Sequence, residues 1–115
     1  MEFDGALAQR HAKEMGMTIC YLYFFHKGPA WTHESTPEIE DLQERHVTNL
    51  RRLRREKNLV LNGPFLDSIQ LSGEARGVSV LKAQSFEQAR EMIDTDPMVK
   101  TGRRSFELYA WMVNQ

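Results

Sequence analysis

The stretch TICYLYFF, residues 18–25, is a continuous run of apolar and aromatic side chains that Gly28 and Pro29 bring to a stop. It reads as a strand. Successive side chains of a strand point to opposite faces, so Ile19, Tyr21, Tyr23 and Phe25 share one face while Cys20, Leu22, Phe24 and His26 share the other. Neither face is polar, and a strand of this kind has to be covered on both sides. What the rest of the chain supplies as cover decides the fold.

Downstream, a loop holds Trp31 and His33, and then Ser35, Thr36 and Pro37 announce a helix, with Thr36 as its cap and Pro37 in its first turn. The pattern predicts a helix over about 37–57, ending at Asn58, a residue that tolerates the left-handed conformation of helix ends. Its acidic residues come first and its basic ones last, complementing the helix dipole. Arg51, Arg52 and Arg55 point away from the apolar stripe, which makes them a solvated outer face and not a nucleic-acid patch. LVLNGPF (59–65) is a second strand that closes at Gly63 and Pro64, the polar residues 67–77 make a hairpin connection, and GVSVLKA (77–83) alternates as a third strand. Ser85 followed by Gln88 is a capping-box pattern opening a shorter helix through Phe86, Ala89, Met92 and Ile93, and Pro97 prevents its continuation past Asp96. SFELYAWMV (105–113) is the closing strand.

The order βαββαβ is that of a ferredoxin-like sandwich, an α+β fold with a four-stranded antiparallel sheet and both helices on one face. Two helices cover only one side of the sheet. The last strand, like the first, is apolar on both, with Phe106, Leu108, Ala110 and Met112 opposite Tyr109, Trp111 and Val113. The economical cover for the open face is an identical subunit in a closed two-fold homodimer. Residues 5–15 can form an amphipathic helix through Leu7, Ala8, His11 and Met15, ended by Gly16. The expected organisation is therefore an N-terminal extension over 1–17 and one domain over 18–115.

Composition narrows the function classes. With 41% hydrophobic and 27% charged residues, the 115-residue chain has the make-up of a soluble globular protein. A net charge of -1 gives no field to gather nucleic acid or anionic lipid. No apolar run approaches a membrane span, and the charged opening MEFDGALAQRHAKEMGM does not read as a signal peptide. Cys20 is the single cysteine, so no internal disulfide is expected, and the cytoplasm is the expected location.

Within the long helix, His46 falls on the stripe of Ile39, Leu42, Leu50 and Leu53 and faces the sheet. Asp96, at the end of the shorter helix, can be brought alongside it. A carboxylate there would hold the imidazole through its N–H and fix its tautomer for proton transfer. A structural hydrogen bond and a turn-initiating Asp-Pro remain the alternatives for the two residues. His26 and the loop residue Trp31 are expected at the mouth of a pocket, with Trp31 stacking on a planar ligand. Gly63 and Pro64 bend the chain and would let backbone approach a ligand. Arg103 and Arg104 read as surface charges or anion clamps. His26, His33 and His46 match no zinc-ligand spacing, and no phosphate loop, dinucleotide fingerprint or serine-nucleophile motif is present, so neither metal nor cofactor is expected.

ERHVTNLRRL, LVLNGPF, SFEQAREMIDTDPMVKTG and the aromatic closing strand, in this order, resemble the YciI-like (YCII-related) domain family across residues 18–113. The resemblance implies a dimeric α+β barrel, similar in fold to muconolactone isomerase, with a His-Asp pair that carries over to His46 and Asp96. It also implies cofactor-independent chemistry, since some relatives remove hydrogen chloride from chlorinated hydroxyquinols. One such relative has a serine near the aspartate, whereas Met92 stands one turn before Asp96 here. The expected function is a cofactor-independent lyase or isomerase acting on a small cyclic substrate. The competing expectation is a noncatalytic dimeric module that binds a metabolite or a protein, and a cofactorless oxygenase is the third.

Overall fold

A computed structural model describes residues 3–66 and 75–114. Along the chain run α1 (Gly5–Met15), β1 (Thr18–Lys27), α2 (Pro37–Arg55), β2 (Leu59–Pro64), β3 (Ala75–Leu81), α3 (Phe86–Asp94), α4 (Pro97–Lys100) and β4 (Arg104–Val113). The strands form one antiparallel sheet in the order β2-β3-β1-β4, with β1 in its middle. This is the expected ferredoxin-like arrangement. Most of the expected 67–77 connection lies outside the described residues, and Gly77 belongs to β3, not to a turn. No helix among the described residues is long and apolar enough to cross a membrane.

The helix starts follow the sequence signals. Thr36 Oγ1 accepts from the Ile39 N–H at 3.2 Å, and Ser85 Oγ accepts from the Gln88 N–H at 3.0 Å. The Gln88 side chain reaches back to the Gln84 N–H at 2.6 Å, one residue further than a capping box requires. Two ends differ from expectation. α2 stops at Arg55, and Lys57, not Asn58, takes the left-handed conformation, with φ of 67°. Asn58 is occupied elsewhere, since its side chain donates to the Lys82 carbonyl at 3.0 Å and its own carbonyl accepts from the Lys82 N–H. Past Asp96 the chain turns and starts the short α4, which the Pro97 signal had marked only as a stop.

The core lies between the sheet and the α2/α3 layer. Tyr21, Tyr23 and Phe25 of β1 pack there with Leu81 of β3, Leu53 of α2, and Ala89 and Ile93 of α3. Burying this set from water is the main source of stability. The opposite face is open in the single chain, where Tyr109 is 48% exposed, Trp111 47% and Leu61 68%. α1 forms as expected, capped by Asp4 and closed by Gly16, but its apolar stripe does not turn inward. Leu7, His11 and Met15 are exposed and only Ala12 is buried, while Phe3 packs its ring 5.2 Å from Phe86.

Two irregularities interrupt the regular pairing of the sheet. Phe25 pairs with Gly77 and His26 with Ala75, so β1 passes over Arg76. Likewise Leu59 pairs with Leu81 and Leu61 with Val80, leaving Val60 extra in β2. Bulges of this kind re-aim the neighbouring side chains. The one at Val60 moves Asn62, opposite Ser79, to the helix-covered face. Beside the other bulge, Gly77 has no room for a side chain, because a Cβ there would stand 2.4 Å from the Gly63 carbonyl oxygen.

Candidate functional site

His46 projects from the middle of α2 onto the sheet, its ring edge-on to Phe25 with centroids 6.3 Å apart. Its Nδ1 lies 2.8 Å from Oδ2 of Asp96, and both residues are buried, at 5% and 3% exposure. An ionised carboxylate is only an acceptor, so toward one Nδ1 would be the donor.

Asp96 is placed by the chain break between α3 and α4. As the N-cap of α4, its second oxygen accepts from the Met98 N–H at 2.9 Å, so the carboxylate sits at the start of a helical turn and not against the end of one. The two helical segments are tied to α2 by a further set of bonds. Asn49 Nδ2 donates to Thr95 Oγ1 at 3.1 Å, Arg52 donates to Asn49 Oδ1 at 2.9 Å, and the Thr95 hydroxyl donates to the Met92 carbonyl at 2.5 Å. Thr95 and Asn49, one residue before Asp96 and three after His46, thus hold the pair in register.

The ring of His46 lines a cavity of about 350 Å³ between α2 and the β2/β3 end of the sheet. Phe25, Val47 and Leu50 form its apolar wall, the backbone around Gly63, Pro64 and Gly77 its rim, and Gln43, Asn62, Arg76 and Arg104 its polar groups. Two larger hollows of about 750 and 520 Å³ flank α1, and neither is lined by His46. Arg104 lies over the Phe25 ring at 5.4 Å. Burial and the neighbouring Arg76 and Arg103 push its guanidinium below the ordinary value, against the pull of Asp96. Below the cavity, burial pushes the Tyr23 phenol up to about 12, with Ser79 and Arg104 opposing and Asp96 adding to the rise.

The cavity therefore brings together His46, Gly63 and Pro64 of the residues marked by sequence, with Asp96 directly behind His46. His26 is not among them. It follows Phe25 by one residue and so lies on the open face, where Nε2 is 2.7 Å from Glu107 Oε1. The hydrogen bond from Tyr109, and His26 beside it, hold the Glu107 carboxyl below its ordinary value. Trp31 is also outside the cavity. Its ring instead receives the guanidiniums of Arg103 and Arg76, at 4.6 and 4.8 Å, with the Lys27 ammonium at 5.7 Å. Arg103 is buried and bonds Thr32, so it belongs to this stack and not to a surface clamp. Among the described residues no three His, Cys, Asp or Glu side chains converge, and His26, His33 and His46 do not form a cluster.

Sequence reasoning missed Gln43, Asn62 and Arg76. Gln43 stands one helical turn before His46 and was legible by spacing. Asn62 and Arg76 were not, because each owes its position to a bulge that no periodicity announces. Arg104 had a weak signal, since it shares the strand parity of Phe106 and so the helix-covered face.

A model of the YCII-related domain matches residues 20–112. Protein YjpA of Bacillus subtilis (strain 168) is 31% identical over 84 residues, covering 70% of this chain and 92% of that protein. Among solved structures, the fold is similar to 5-chloro-2-hydroxyhydroquinone dehydrochlorinase (TftG) from Burkholderia phenoliruptrix AC1100, determined in complex with 2,5-dihydroxybenzoquinone. The TM-score is 0.57 at 18% identity, with 80% of this chain and 92% of the other covered.

Proposed function

The chain belongs to the YCII-related domain family, and on that basis we propose that it is a cofactor-independent enzyme of lyase or isomerase type acting on a small cyclic substrate. The observation that carries the reading is the His46–Asp96 bond at the wall of an open cavity. Asp96 fixes the tautomer with hydrogen on Nδ1, and His46 Nε2 takes a proton from substrate carbon or oxygen. The carboxylate 2.8 Å away lies where it compensates the positive charge the ring then acquires. The proton returns to another substrate atom in an isomerisation, or to the departing group in an elimination. Phe25, Val47 and Leu50 would hold a ring, with Gln43 and Asn62 as partners for its oxygens.

The complete unit in this proposal is a cytoplasmic homodimer of the domain over 18–115, joined through the open sheet face, with 1–17 appended to it. The 48% exposure of Tyr109 and 47% of Trp111 support that pairing. The competing reading, a noncatalytic binding module with a structural His46–Asp96 bond, is favoured by one observation, the 5% exposure of His46. Screening the protein against small lactones and hydroxyquinones, followed by His46→Asn and Asp96→Asn, separates the two. Folded variants that lose turnover support the enzyme. Loss of stability in both, with no substrate found, supports the module.

A further inference from the structure

We infer that the ligand of the His46 cavity is an anion, a small ring compound whose carboxylate or enolate oxygens sit between Arg76 and Arg104. This rests on the cavity proposed above as the active site but does not depend on turnover.

The chain as a whole is balanced, with 15 Lys and Arg against 16 Asp and Glu. The cavity is not. Its described lining contains two guanidiniums and no carboxylate. Asp96 stands behind His46 and not in that lining, one oxygen bonded to His46 and the other to the Met98 N–H. Burial acts first against the ionised form of Arg104, Asp96 favours it, and Arg76 and Arg103 oppose it. Its buried Nε meets no acceptor among the described residues. A buried guanidinium N–H without an acceptor is costly, and an anionic oxygen in the cavity that Arg104 lines would supply one.

Both guanidiniums are also preset. Arg104 rests on Phe25, and Arg76 rests on Trp31, whose ring carries Arg103 as well. Such stacking fixes a planar cation before a ligand arrives, which lowers the entropy lost on binding. The bulge lies at Arg76, whose side chain joins the cavity lining. Forked guanidinium donors match carboxylate and enolate oxygens, while Phe25, Val47 and Leu50 offer the remainder of the ligand an apolar wall. Trp31 is accordingly a positioning residue for Arg76 and not a stacking surface for the ligand.

The test is direct binding by calorimetric titration, using two charged probes and their neutral counterparts: benzoate against benzamide, and 2,5-dihydroxybenzoquinone against its dimethyl ether. The first pair reads carboxylate recognition and the second enolate recognition. The charged member of at least one pair should bind about tenfold tighter, an advantage that shrinks as salt rises. Arg76→Gln and Arg104→Gln should each remove about tenfold of that affinity and leave the neutral counterpart within about twofold. Should Arg104→Gln fail to fold, Arg104→Lys and Arg76→Gln decide the matter, the lysine keeping part of the preference. His46→Asn should retain it. Anion binding without turnover of any compound would sink the catalytic reading and leave this inference standing. No preference for either charged probe up to millimolar concentration, or a preference unchanged in both arginine variants, overturns it.

Discussion

His46 Nδ1 and Asp96 Oδ2 lie 2.8 Å apart across 50 residues of sequence, and the other oxygen of the same carboxylate caps the helical turn that begins at Pro97. One side chain thus does two jobs, and substitutions separate them. Asp96→Ala leaves the His46 ring and the Met98 N–H unsatisfied in a buried place and should cost about 2–4 kcal/mol in denaturant unfolding. Asp96→Asn keeps the cap and should stay within about 1 kcal/mol of wild type, yet an amide can turn the ring to the wrong tautomer. On the proposed mechanism its turnover then falls by about a hundredfold or more. Wild-type turnover in Asp96→Asn would show that the carboxylate is only a cap.

The close approach of β2 to β3 depends on the missing side chain of Gly77. Gly77→Ala would drive a Cβ to 2.4 Å from the Gly63 carbonyl oxygen, and backbone cannot swing aside as a side chain can. Thermal unfolding should show a loss of about 1–3 kcal/mol. Gly63→Ala is the control. Its Cβ would have no neighbour within 4 Å, and stability should change by about 0.5 kcal/mol or less.

Trp31→Leu removes the ring on which Arg76 and Arg103 rest. Each lost stack is worth about 0.5–2 kcal/mol. The variant should unfold at lower temperature and bind a charged probe severalfold more weakly, with neutral-probe binding unchanged. A binding loss equal for charged and neutral probes would point to general loosening instead.

Alkaline pH should weaken the fold through Tyr23. Its phenol, ordinarily at 10.0, is pushed up to about 12 in the folded chain, so the native state holds that proton more tightly than the unfolded state does. The contribution is intact below pH 10 and is lost as pH rises to about 12, on the order of 3 kcal/mol in all. Tyr21 and Tyr109 shift in the same direction. Chemical denaturation across this range should show a shallower decline in Tyr23→Phe than in wild type.

The proposed dimer rests on the open sheet face, where Trp111 stands opposite Cys20 in the β1–β4 register. Trp111→Glu would place a charge on that face. Sedimentation at low concentration should find wild type as a dimer and the variant as a monomer with unchanged far-ultraviolet circular dichroism. A wild-type monomer would remove the proposal.

How far the sequence could be read follows from the kind of information each element uses. Tyr21, Tyr23 and Phe25 announce a buried strand because alternation is local, and Thr36 and Ser85 announce helix starts because a cap bonds its own neighbours three residues on. The location of His46 on an inward stripe was legible for the same reason. His26 was misplaced because its loop neighbour Trp31 suggested one pocket mouth, although strand alternation already sets it on the face away from Phe25. α1 shows the limit of periodicity, for its stripe forms a helix without a surface to bury it.

The order of elements, the two-sided character of β1 and the inward aim of His46 are properties of short stretches, and those stretches settle them through alternation, helical spacing and capping. Where Asp96 meets the ring, which arginines line the cavity, and that Trp31 serves Arg76 are decided only in three dimensions. They depend on how far one strand slips past another at Arg76 and Val60, and on how α3 breaks into α4. Such offsets are chosen by the packing of the whole sheet against its helices, since no local pattern carries the energy that distinguishes one register from the next.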